Sequence, residues 1–372
     1  MVTDSININY PSIHVGTDKS EVSFHPGTPD LVKLFFEEKK DEKQKRFFIT
    51  DANVASLPCM QGFTSMFDDG VYENNHLLIL GSGEKYKTIE TVLTIITAAV
   101  EADFNRKDIF VGIGGGVICD TTAFAASIFK RGAKVQLVPT TLLAMVDASM
   151  GGKTGCDYDN YKNIMGSFYP ASNIYYFPEF VQYLPENQYN SGLAEAFKTA
   201  LLFDEELYGT FKNDSEKILS RDKETLQMII EKCVKAKGTI VEEDFTEQGI
   251  RAHLNLGHTF GHALETVAGL GNITHGSAVA WGIGRAVDLA YHKDYCLQGF
   301  KDEILEILAK YDWDTEAIPQ IIRGGGVGER LVKAMHKDKK NLGNKVRIIV
   351  QKGIKETFIE EFDDKDILMV LK

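Results

Sequence analysis

The chain has 372 residues, enough for two domains of ordinary size, and its 44% hydrophobic and 25% charged residues are typical of a globular protein. The formal net charge of -12 argues against general binding of nucleic acid or acidic membranes, although a local lysine cluster can still bind a small anion. We find neither a signal peptide nor a membrane-length apolar run, and the five scattered cysteines suit reduced thiols, so we expect a cytoplasmic protein.

Strand and helix alternate along the first half of the chain. Short β-rich runs within residues 1–60 flank the helix-prone stretch LVKLFFEEKKDEKQK, and HLLILGSGEKYK predicts a strand that ends in a turn. KTIETVLTIITAAVEADF has helical periodicity, DIFVGIGGGV indicates a buried strand, ICDTTAFAASIF an apolar helix and KVQLVPTT another strand. This alternation predicts a parallel α/β sheet with ligands at the carboxyl ends of its strands.

The second half of the chain is dominated by helical patterns. NQYNSGLAEAFKTALLF, KETLQMIIEKCVKAKGTIVEEDF, SAVAWGIGRAVDLAYH and KDEILEILAKY all indicate helices. The character of the sequence changes near residues 180–190, so we predict an α/β domain over residues 1–184 and an all-helical domain over residues 185–372.

Three of the nine histidines lie in one stretch, RAHLNLGHTFGHALETVAGLGNITHG. His258 and His262 are four residues apart, so on a helix they share one face, and the glycine before each of them leaves room for a close approach. His275 follows a glycine-rich turn that can fold it back towards that helix. Such a trio predicts a transition-metal site, most often zinc, and histidines satisfied inside a core are the alternative.

A carboxylate ligand for these histidines can come from Glu195 in SGLAEAFK, where Lys198 shares its helix face. Two histidines and one glutamate are a known catalytic zinc set that leaves a coordination position open. Peptide hydrolysis is not expected, because Thr259 stands where zinc peptidases carry their general-base glutamate.

A glycine-rich turn joins the buried strand DIFVGIGGGV to the helix behind it. The backbone N–H groups of Gly114, Gly115 and Gly116 can hold a pyrophosphate there, and a purely structural turn is the alternative. The strict dinucleotide fingerprint fails, because Val117 occupies its last glycine position.

Lysines and amides gather in polar segments. Asp147 directly precedes ASMGGKTGCDYDNYKN, a predicted loop with little helix or strand character that carries Lys153, Lys162 and Asn163. Other basic residues before and after the histidines are Lys237, Arg251, Lys337, Lys339 and Lys340. Each alone would be an ordinary surface charge, but together with the glycine turn and the histidines they indicate a site for a small anion.

A series of segments resembles the 3-dehydroquinate synthases in order and spacing: GGGVICD, RGAKVQLVPTTLLAMVDASMGGKT, YKNIMGSFYPA, SGLAEAFK, LNLGHTFGHALE, HGSAV and DKKN. These segments lie between about residue 80 and residue 345. The resemblance implies a Rossmann-like dinucleotide-binding α/β domain, a helical metal- and substrate-binding domain and an active site in the cleft between them. It also implies a homodimer, NAD and one divalent metal, zinc or cobalt.

The resemblance further implies the roles of individual residues. The metal ligands are Glu195, His258 and His275. The NAD-binding residues are Asp51, Glu84, Lys87, Gly115, Gly116, Val117, Asp120, Thr140, Thr141, Asp147, Lys153 and Lys162. The substrate-binding and catalytic residues are Lys153, Asn163, Lys198, Lys237, Arg251, Asn255, His262, one of Lys339 and Lys340, and Arg131 of the partner subunit.

The implied reaction converts 3-deoxy-D-arabino-heptulosonate 7-phosphate to 3-dehydroquinate and phosphate, in the shikimate pathway to aromatic amino acids. NAD takes a hydride from the C5 alcohol, phosphate is eliminated, the ketone is reduced again, and an aldol step closes the ring. The residue types fit this scheme, because an open His/His/Glu metal site lowers the pKa of an alcohol and His262 remains for proton transfer. The lysines and Arg131 can neutralise a phosphate and a carboxylate.

Three other functions compete with this interpretation. Another sugar-phosphate cyclase, such as a 2-deoxy-scyllo-inosose or 2-epi-5-epi-valiolone synthase, would share fold and cofactors; Arg251, Asn255 and Lys237 favour the dehydroquinate reaction. An NAD- and metal-dependent alcohol or glycerol dehydrogenase would not need the lysine cluster. A non-catalytic descendant of the fold would be expected to lack a metal ligand or His262. The sequence departs from the family pattern at Ser277, Cys119, Ala123 and Tyr183.

Overall fold

The computed structural model describes residues 5–10, 16–38, 44–67, 69–159, 161–269, 271–337 and 345–372. Two of the predicted site residues, Lys339 and Lys340, lie outside these ranges. The chain divides into two compact units, one formed by Met1–Pro185 with Lys237–Thr246 and the other by Glu186–Ala236 with Glu247–Lys372. No helix in the described ranges is both long and apolar enough to cross a membrane.

The first unit is built on a mixed, mostly parallel sheet. Its strands are β1 (Ser5–Asn9), β2 (Lys19–Phe24), β3 (Arg46–Asp51), β4 (Val71–Tyr72), β5 (Asn75–Leu80), β6 (Ile109–Gly114), β7 (Lys134–Pro139), β8 (Lys153–Tyr158), β9 (Tyr161–Phe168) and β10 (Asn173–Tyr176). Eight of them form one sheet in the order β1-β2-β10-β7-β6-β3-β5-β4. All neighbours are parallel except the edge pairs β1/β2 and β4/β5. The predicted α/β class with a parallel sheet is confirmed.

The central strands form because their sequences are apolar along their whole length. Every residue of β6, IFVGIG, is buried, as expected for a parallel strand covered on both faces. The helices of this unit are α1 (Ala52–Ala55), α2 (Gln61–Thr64), α3 (Ile89–Glu101) and α4 (Gly116–Ile128). Helix α3 buries Val92, Ile95 and Ala99, which lie on one helical face.

The segment ASMGGKTGCDYDNYKN is not the loop that its composition predicted. Strands β8 and β9 pair antiparallel there, with Gly155 opposite Gly166 and a register shift between Cys156 and Tyr158. A Cβ on Gly166 would collide with the carbonyl oxygen of Thr154, so only glycine allows this close pairing. Glycine, aspartate and asparagine are scarce in strands, which is why the sequence suggested a loop.

The second unit is mainly helical. Its helices are α5 (Glu186–Phe203), α6 (Glu205–Asn213), α7 (Ser215–Leu219), α8 (Lys223–Glu243), α9 (His258–Ala268), α10 (His275–His292), α11 (Gln298–Lys310), α12 (Val327–His336) and α13 (Asp364–Met369). Helix α10 is its core element: Trp281 is completely buried and donates from Nε1 to the carbonyl of Glu316 at 2.8 Å. An antiparallel hairpin of β11 (Val346–Gly353) and β12 (Glu356–Phe362) also belongs to this unit. The unit is therefore not all-helical as the sequence predicted.

The end of helix α8 belongs to the first unit, although the sequence analysis placed residues 185–372 in one domain. Lys237 donates to Asp147, to Oδ1 at 2.8 Å and to the backbone oxygen at 2.7 Å. The ring of Phe245 packs against Tyr10 and Phe168, at centroid distances of 5.1 Å and 5.5 Å. The helical periodicity of α8 runs unbroken through Lys237, so the pattern contains no sign that its packing partners change.

Asp204 offers a test of how the second unit is stabilised. It is the N-cap of α6, accepts from the N–H of Leu207 at 2.8 Å, and pairs with Lys232 at 3.0 Å. Burial raises the pKa of this carboxyl, but the N–H bonds and Lys232 outweigh burial and leave the pKa below its usual value. Because the folded-state pKa is the lower one, the stabilisation is complete above about pH 4 and is lost as the pH falls through the folded-state pKa.

We therefore expect Asp204→Ala to lower the free energy of unfolding by about 1–2 kcal/mol at pH 7. In urea unfolding experiments, the difference from the wild-type protein should shrink steadily as the pH is lowered below about 4. Asp204→Asn, which keeps an N-cap acceptor but no charge, serves as the control and should lose less at pH 7. A deficit in Asp204→Ala that does not change with pH would contradict this account.

Candidate active site

Three histidines meet at the amino-terminal ends of α9 and α10. Helix α9 begins at His258, and His262 follows one turn later with its ring centroid 5.3 Å from that of His258. His275 is the first residue of α10, and its ring lies 5.2 Å from His258 and 5.9 Å from His262. The turn before α10 thus folds His275 back against α9, as the sequence predicted.

Glycines allow the helices that carry these histidines to pack backbone to backbone. A Cβ on Gly257 would lie 2.6 Å from the carbonyl oxygen of Val279, and one on Gly261 would lie 3.0 Å from that of Ala278. A Cβ on Gly276 would collide with the carbonyl oxygen of Ser191 in α5. The predicted close approach at Gly257 and Gly261 is confirmed, and the approaching group is the backbone of α10.

Helix α5 brings Glu195 to the histidines. Its Oε1 lies 3.4 Å from Nε2 of His275 and 3.9 Å from Nε2 of His258, and its side chain is only 1% exposed. The other carboxylate oxygen pairs with Lys198, which is equally buried. One possible ligand atom from each of Glu195, His258 and His275 lies within 4.8 Å of the others, which fits a single metal ion with an open coordination position.

The protonation of the histidines follows from their surroundings. Burial, with the charge of Lys198, lowers the pKa of His258 well below its usual value, so this imidazole is neutral at pH 7 and has a lone pair for a metal. Its Nδ1 lies 3.2 Å from the carbonyl oxygen of Leu256, which favours a lone pair on Nε2. Burial lowers the pKa of His275 too, but Glu195 and Glu265 outweigh it and raise the pKa to about 9.

Glu265 is a site residue that the sequence analysis missed. It lies in α9, 5% exposed, with Oε1 3.5 Å from Nδ1 of His275. His262, Glu265 and His275 form a second group whose possible ligand atoms lie within 4.8 Å of one another. Glu265 follows His258 by seven residues and His262 by three, so helical spacing alone places all three on one face and could have identified it.

In the first unit, the predicted phosphate turn lies at the carboxyl edge of the sheet. Strand β6 ends at Gly114, α4 begins at Gly116, and no side chain in the described ranges caps this helix at Gly115. The next strand, β7, leads into Thr140, which is 3% exposed and whose hydroxyl has no hydrogen-bond partner among the described residues. Thr141 accepts from the N–H of Ala144 at 3.2 Å. Unpaired N–H and hydroxyl groups at such an edge suit a phosphate-containing ligand.

Several predicted NAD and substrate residues of the first unit contact one another. Lys87 pairs with Asp120 at 2.7 Å and donates to Oδ1 of Asn163 at 2.6 Å. Burial lowers the pKa of Lys87, but Asp120 and Glu84 outweigh it and raise the pKa, so Lys87 is charged. Asn163 has a positive φ of 50° within β9, and its N–H donates to Asp157 at 2.7 Å.

Other predicted residues of this unit make the following contacts. Asp51 caps α1 and accepts from the hydroxyl of Ser82 at 2.9 Å. Lys162 lies 4.0 Å from Glu84, at the limit of an ion pair. A small cavity has the following lining residues: Cys119, Asp120, Ala123, Leu137, Ala148, Ser149, Gly152, Lys153, Thr154, Tyr169 and Ala171. Lys237, predicted as a substrate residue, is the partner of Asp147, predicted as an NAD residue.

The remaining predicted residues have the following local surroundings. Arg251 is buried, and Asn255 donates to Glu247 at 2.6 Å, both in the second unit. Val117 lies in the first turn of α4, and Arg131 is exposed just beyond the end of α4, with a positive φ of 67°. Of the unusual positions, Ser277 completes the N-cap of α10, where the Thr274 hydroxyl donates to it at 2.7 Å.

Comparison with known proteins places the chain in a family. Residues 77–191 match the model of the 3-dehydroquinate synthase N-terminal region, and residues 192–341 match that of the 3-dehydroquinate synthase C-terminal region. The 3-dehydroquinate synthase of Pelobacter propionicus is 35% identical over 320 residues, which cover 86% of this chain and 87% of that protein.

Solved structures share the fold. A 2-deoxy-scyllo-inosose synthase complexed with carbaglucose-6-phosphate, NAD+ and Co2+ covers 99% of both chains with a TM-score of 0.82 and 22% identity. A 2-epi-5-epi-valiolone synthase from Streptomyces hygroscopicus with bound NAD+ and Zn2+ covers 95% of both chains with a TM-score of 0.82 and 23% identity. The structures establish the fold, and the sequence relatives, which are more similar, establish the family. The chain belongs to the 3-dehydroquinate synthase family.

Proposed function

We propose that this chain is a 3-dehydroquinate synthase, a lyase that converts 3-deoxy-D-arabino-heptulosonate 7-phosphate to 3-dehydroquinate and phosphate in the shikimate pathway. The observation that carries the proposal is the convergence of Glu195, His258 and His275 beside the buried Lys198, in a chain that is 35% identical to a 3-dehydroquinate synthase over most of its length. The trio offers a metal site, and the lysine offers a positive charge next to it.

The donor set fits a divalent metal of the zinc or cobalt type. Two imidazoles and one carboxylate are ligands that both ions accept, and three protein ligands leave room for substrate. When bound, the metal supplies a positive charge that lowers the pKa of a substrate alcohol. We assign Glu195, His258 and His275 as the residues that hold it.

NAD is the second proposed cofactor, and it supplies a hydride acceptor that returns the hydride within the same turnover. Its pyrophosphate is proposed to bind at Gly115, Gly116 and Val117, where the N-terminus of α4 follows β6. The other proposed NAD residues are Asp51, Glu84, Lys87, Asp120, Thr140, Thr141, Asp147, Lys153 and Lys162. The hydroxyl of Thr140 supports this proposal, because it is buried and has no hydrogen-bond partner in the described part of the chain.

The remaining residues are assigned to the substrate. His262 shares the helix face of His258 and does not belong to the proposed ligand set, so we assign it to proton transfer at the reacting alcohol or at the departing phosphate. Lys198 places a buried positive charge beside Glu195, where it attracts an anionic substrate. The other proposed contacts are Lys153, Asn163, Lys237, Arg251, Asn255, one of Lys339 and Lys340, and Arg131 of the partner subunit.

The last assignment requires a homodimer, which we also propose, with the cytoplasm as its location. Arg131 follows α4 directly and is exposed, so it can reach a second copy of the chain. Light scattering should give twice the monomer mass of 41.4 kDa. If a monomer catalysed the reaction at the full rate, the assignment of Arg131 of the partner subunit to the site would be wrong.

The decisive experiment measures phosphate release from 3-deoxy-D-arabino-heptulosonate 7-phosphate with catalytic NAD and added zinc, while the absorbance of NADH is followed. We expect phosphate without net NADH, because the hydride is returned in each turnover, and the product mass should show ring closure. Accumulating NADH would contradict the proposal and indicate a dehydrogenase. Phosphate release only from glucose 6-phosphate or sedoheptulose 7-phosphate would instead indicate one of the other cyclases.

A further inference from the structure

Glu265 is a buried carboxylate to which the proposed reaction gives no role. Its side chain is 6% exposed, and it lies in α9 among apolar neighbours in sequence, Ala263 and Leu264, which are also buried. Burying a carboxylate costs free energy unless specific partners compensate for the lost water. An apolar residue at this position would have a smaller desolvation penalty. One partner is His275, whose Nδ1 lies 3.5 Å from Oε1 of Glu265, slightly beyond the usual N–H···O distance.

The imidazole of His275 lies between two carboxylates. Nε2 is 3.4 Å from Oε1 of Glu195, and Nδ1 is 3.5 Å from Oε1 of Glu265. The form of an imidazole that binds a metal is the neutral one, which has one N–H donor and one lone pair. If Nδ1–H points to Glu265, the lone pair must be on Nε2, on the side shared with Glu195 and His258.

The neighbouring histidine is held in a similar way. Nδ1 of His258 lies 3.2 Å from the carbonyl oxygen of Leu256, which leaves its Nε2 on the side of Glu195. Both histidines of the proposed metal site therefore have an acceptor at Nδ1, a backbone carbonyl in one case and a carboxylate in the other. Such outer partners fix the tautomer and the ring orientation of metal-binding histidines, and a carboxylate also increases their basicity.

We propose that Glu265 is a positioning residue of the metal site: it holds the Nδ1 side of His275 so that Nε2 faces Glu195 and His258. The proposal rests on the proposed metal site of the enzyme. It assigns no contact between Glu265 and the substrate, because the carboxylate acts through His275. The side chain of His275 is 32% exposed, so packing alone fixes its ring only partly. The contact with Glu265 supplies the additional restraint.

The test compares Glu265→Gln, which keeps the length and an acceptor oxygen but loses the charge, with Glu265→Leu, which loses both. We measure the affinity of the full-length protein for Zn2+ by competition with a chromogenic chelator, and the visible absorption of the Co2+-loaded protein. We expect about 10-fold weaker binding for Glu265→Gln and about 100-fold for Glu265→Leu, which are the limits typical of lost outer partners. The Co2+ spectrum should change as well, because a released ring alters the ligand geometry.

Asp288→Asn is the matched control. Asp288 is a half-buried carboxylate in α10, the helix of His275, but it pairs with Arg285 at 2.9 Å. It follows His275 by thirteen residues, so it lies about 20 Å away along the helix axis. Removing its charge should lower stability without changing Zn2+ affinity or the Co2+ spectrum. Circular dichroism and melting in the presence of chelator show whether each variant folds, and Glu265→Gln carries the test if Glu265→Leu does not.

Two results would overturn the proposal. Wild-type affinity and an unchanged Co2+ spectrum in both Glu265 variants would show that Glu265 only fills space. Binding of two Zn2+ per wild-type chain, with one lost in Glu265→Leu, would make Glu265 a direct ligand within the group His262, Glu265 and His275. A wild-type protein that binds no metal would instead contradict the proposed metal site itself, so the two failures are distinguishable.

Discussion

Replacing His275 by alanine should remove the bound metal and lower turnover by about 10³-fold or more, because the charge stabilisation lost with a catalytic metal amounts to several kcal/mol. The substitution leaves only Glu195 and His258 of the proposed ligand set, whose nearest polar atoms are 3.9 Å apart. The fold should persist, since alanine is a good helix former and the N-cap of α10, Thr274, is untouched. We would measure the metal content after gel filtration, the fold by circular dichroism, and turnover as the rate of phosphate release.

His292→Ala is the control for this experiment. His292 is the last residue of the same helix and is exposed at the opposite end from His275. This variant should keep both metal and activity. The ligand assignment would be wrong if His275→Ala retained full metal occupancy; loss of metal with unchanged turnover would instead show that the metal is structural rather than catalytic.

The second large effect is expected at Gly276, one residue after His275. Its N–H donates to the hydroxyl of Ser191 at 2.9 Å, and an added Cβ would collide with the backbone oxygen of the same serine. The obstacle is the backbone of α5, which cannot move aside as the end of a flexible side chain can. We expect Gly276→Ala to destabilise the second unit by about 3 kcal/mol. This corresponds to a decrease in melting temperature of about 6–12 °C for a unit of this size.

Zn2+ affinity should decrease in the same variant, because separating α10 from α5 separates His275 from Glu195. Gly299→Ala is the control: this glycine lies in α11, and a Cβ there would meet no atom of the described residues within 4 Å. Alanine at that position should leave stability unchanged or raise it by up to about 1 kcal/mol. Equal melting temperatures for the two variants would show that α10 can be displaced from α5 without cost.

Periodic patterns were enough to predict much of this architecture. The alternation of apolar strands and helices predicted the parallel sheet, and the spacing of His258 and His262 predicted one helix face. The strand pair β8/β9 was not predicted, because its stability depends on Gly155 facing Gly166 across the pair, a relation that no local pattern contains. Propensity describes single residues, whereas this pairing depends on two segments that fit only when both lack side chains.

The site shows a similar limit. The histidines stood out as candidates because few residue types bind transition metals, and Glu195 became a candidate because the histidines lacked a carboxylate partner. Glu265 was overlooked because a glutamate in a helix is usually a solvated surface residue, and nothing local marks it as buried. Burial is a tertiary property, set here by how α10 covers α9, so the sequence could place Glu265 on the histidine face but could not show its contact with His275.

The return of Lys237–Thr246 to the first unit affects how the chain can fold during synthesis. When the ribosome has completed Pro185, the first unit still lacks the lysine that pairs with Asp147 and the ring that packs on Tyr10 and Phe168. Residues 186–236 must emerge before these groups are available. The nascent first unit therefore has to wait, without the contact between Lys237 and Asp147 and without Phe245 on these two aromatic rings, until residue 246 has left the exit tunnel. This interval is when chaperone binding would be most useful.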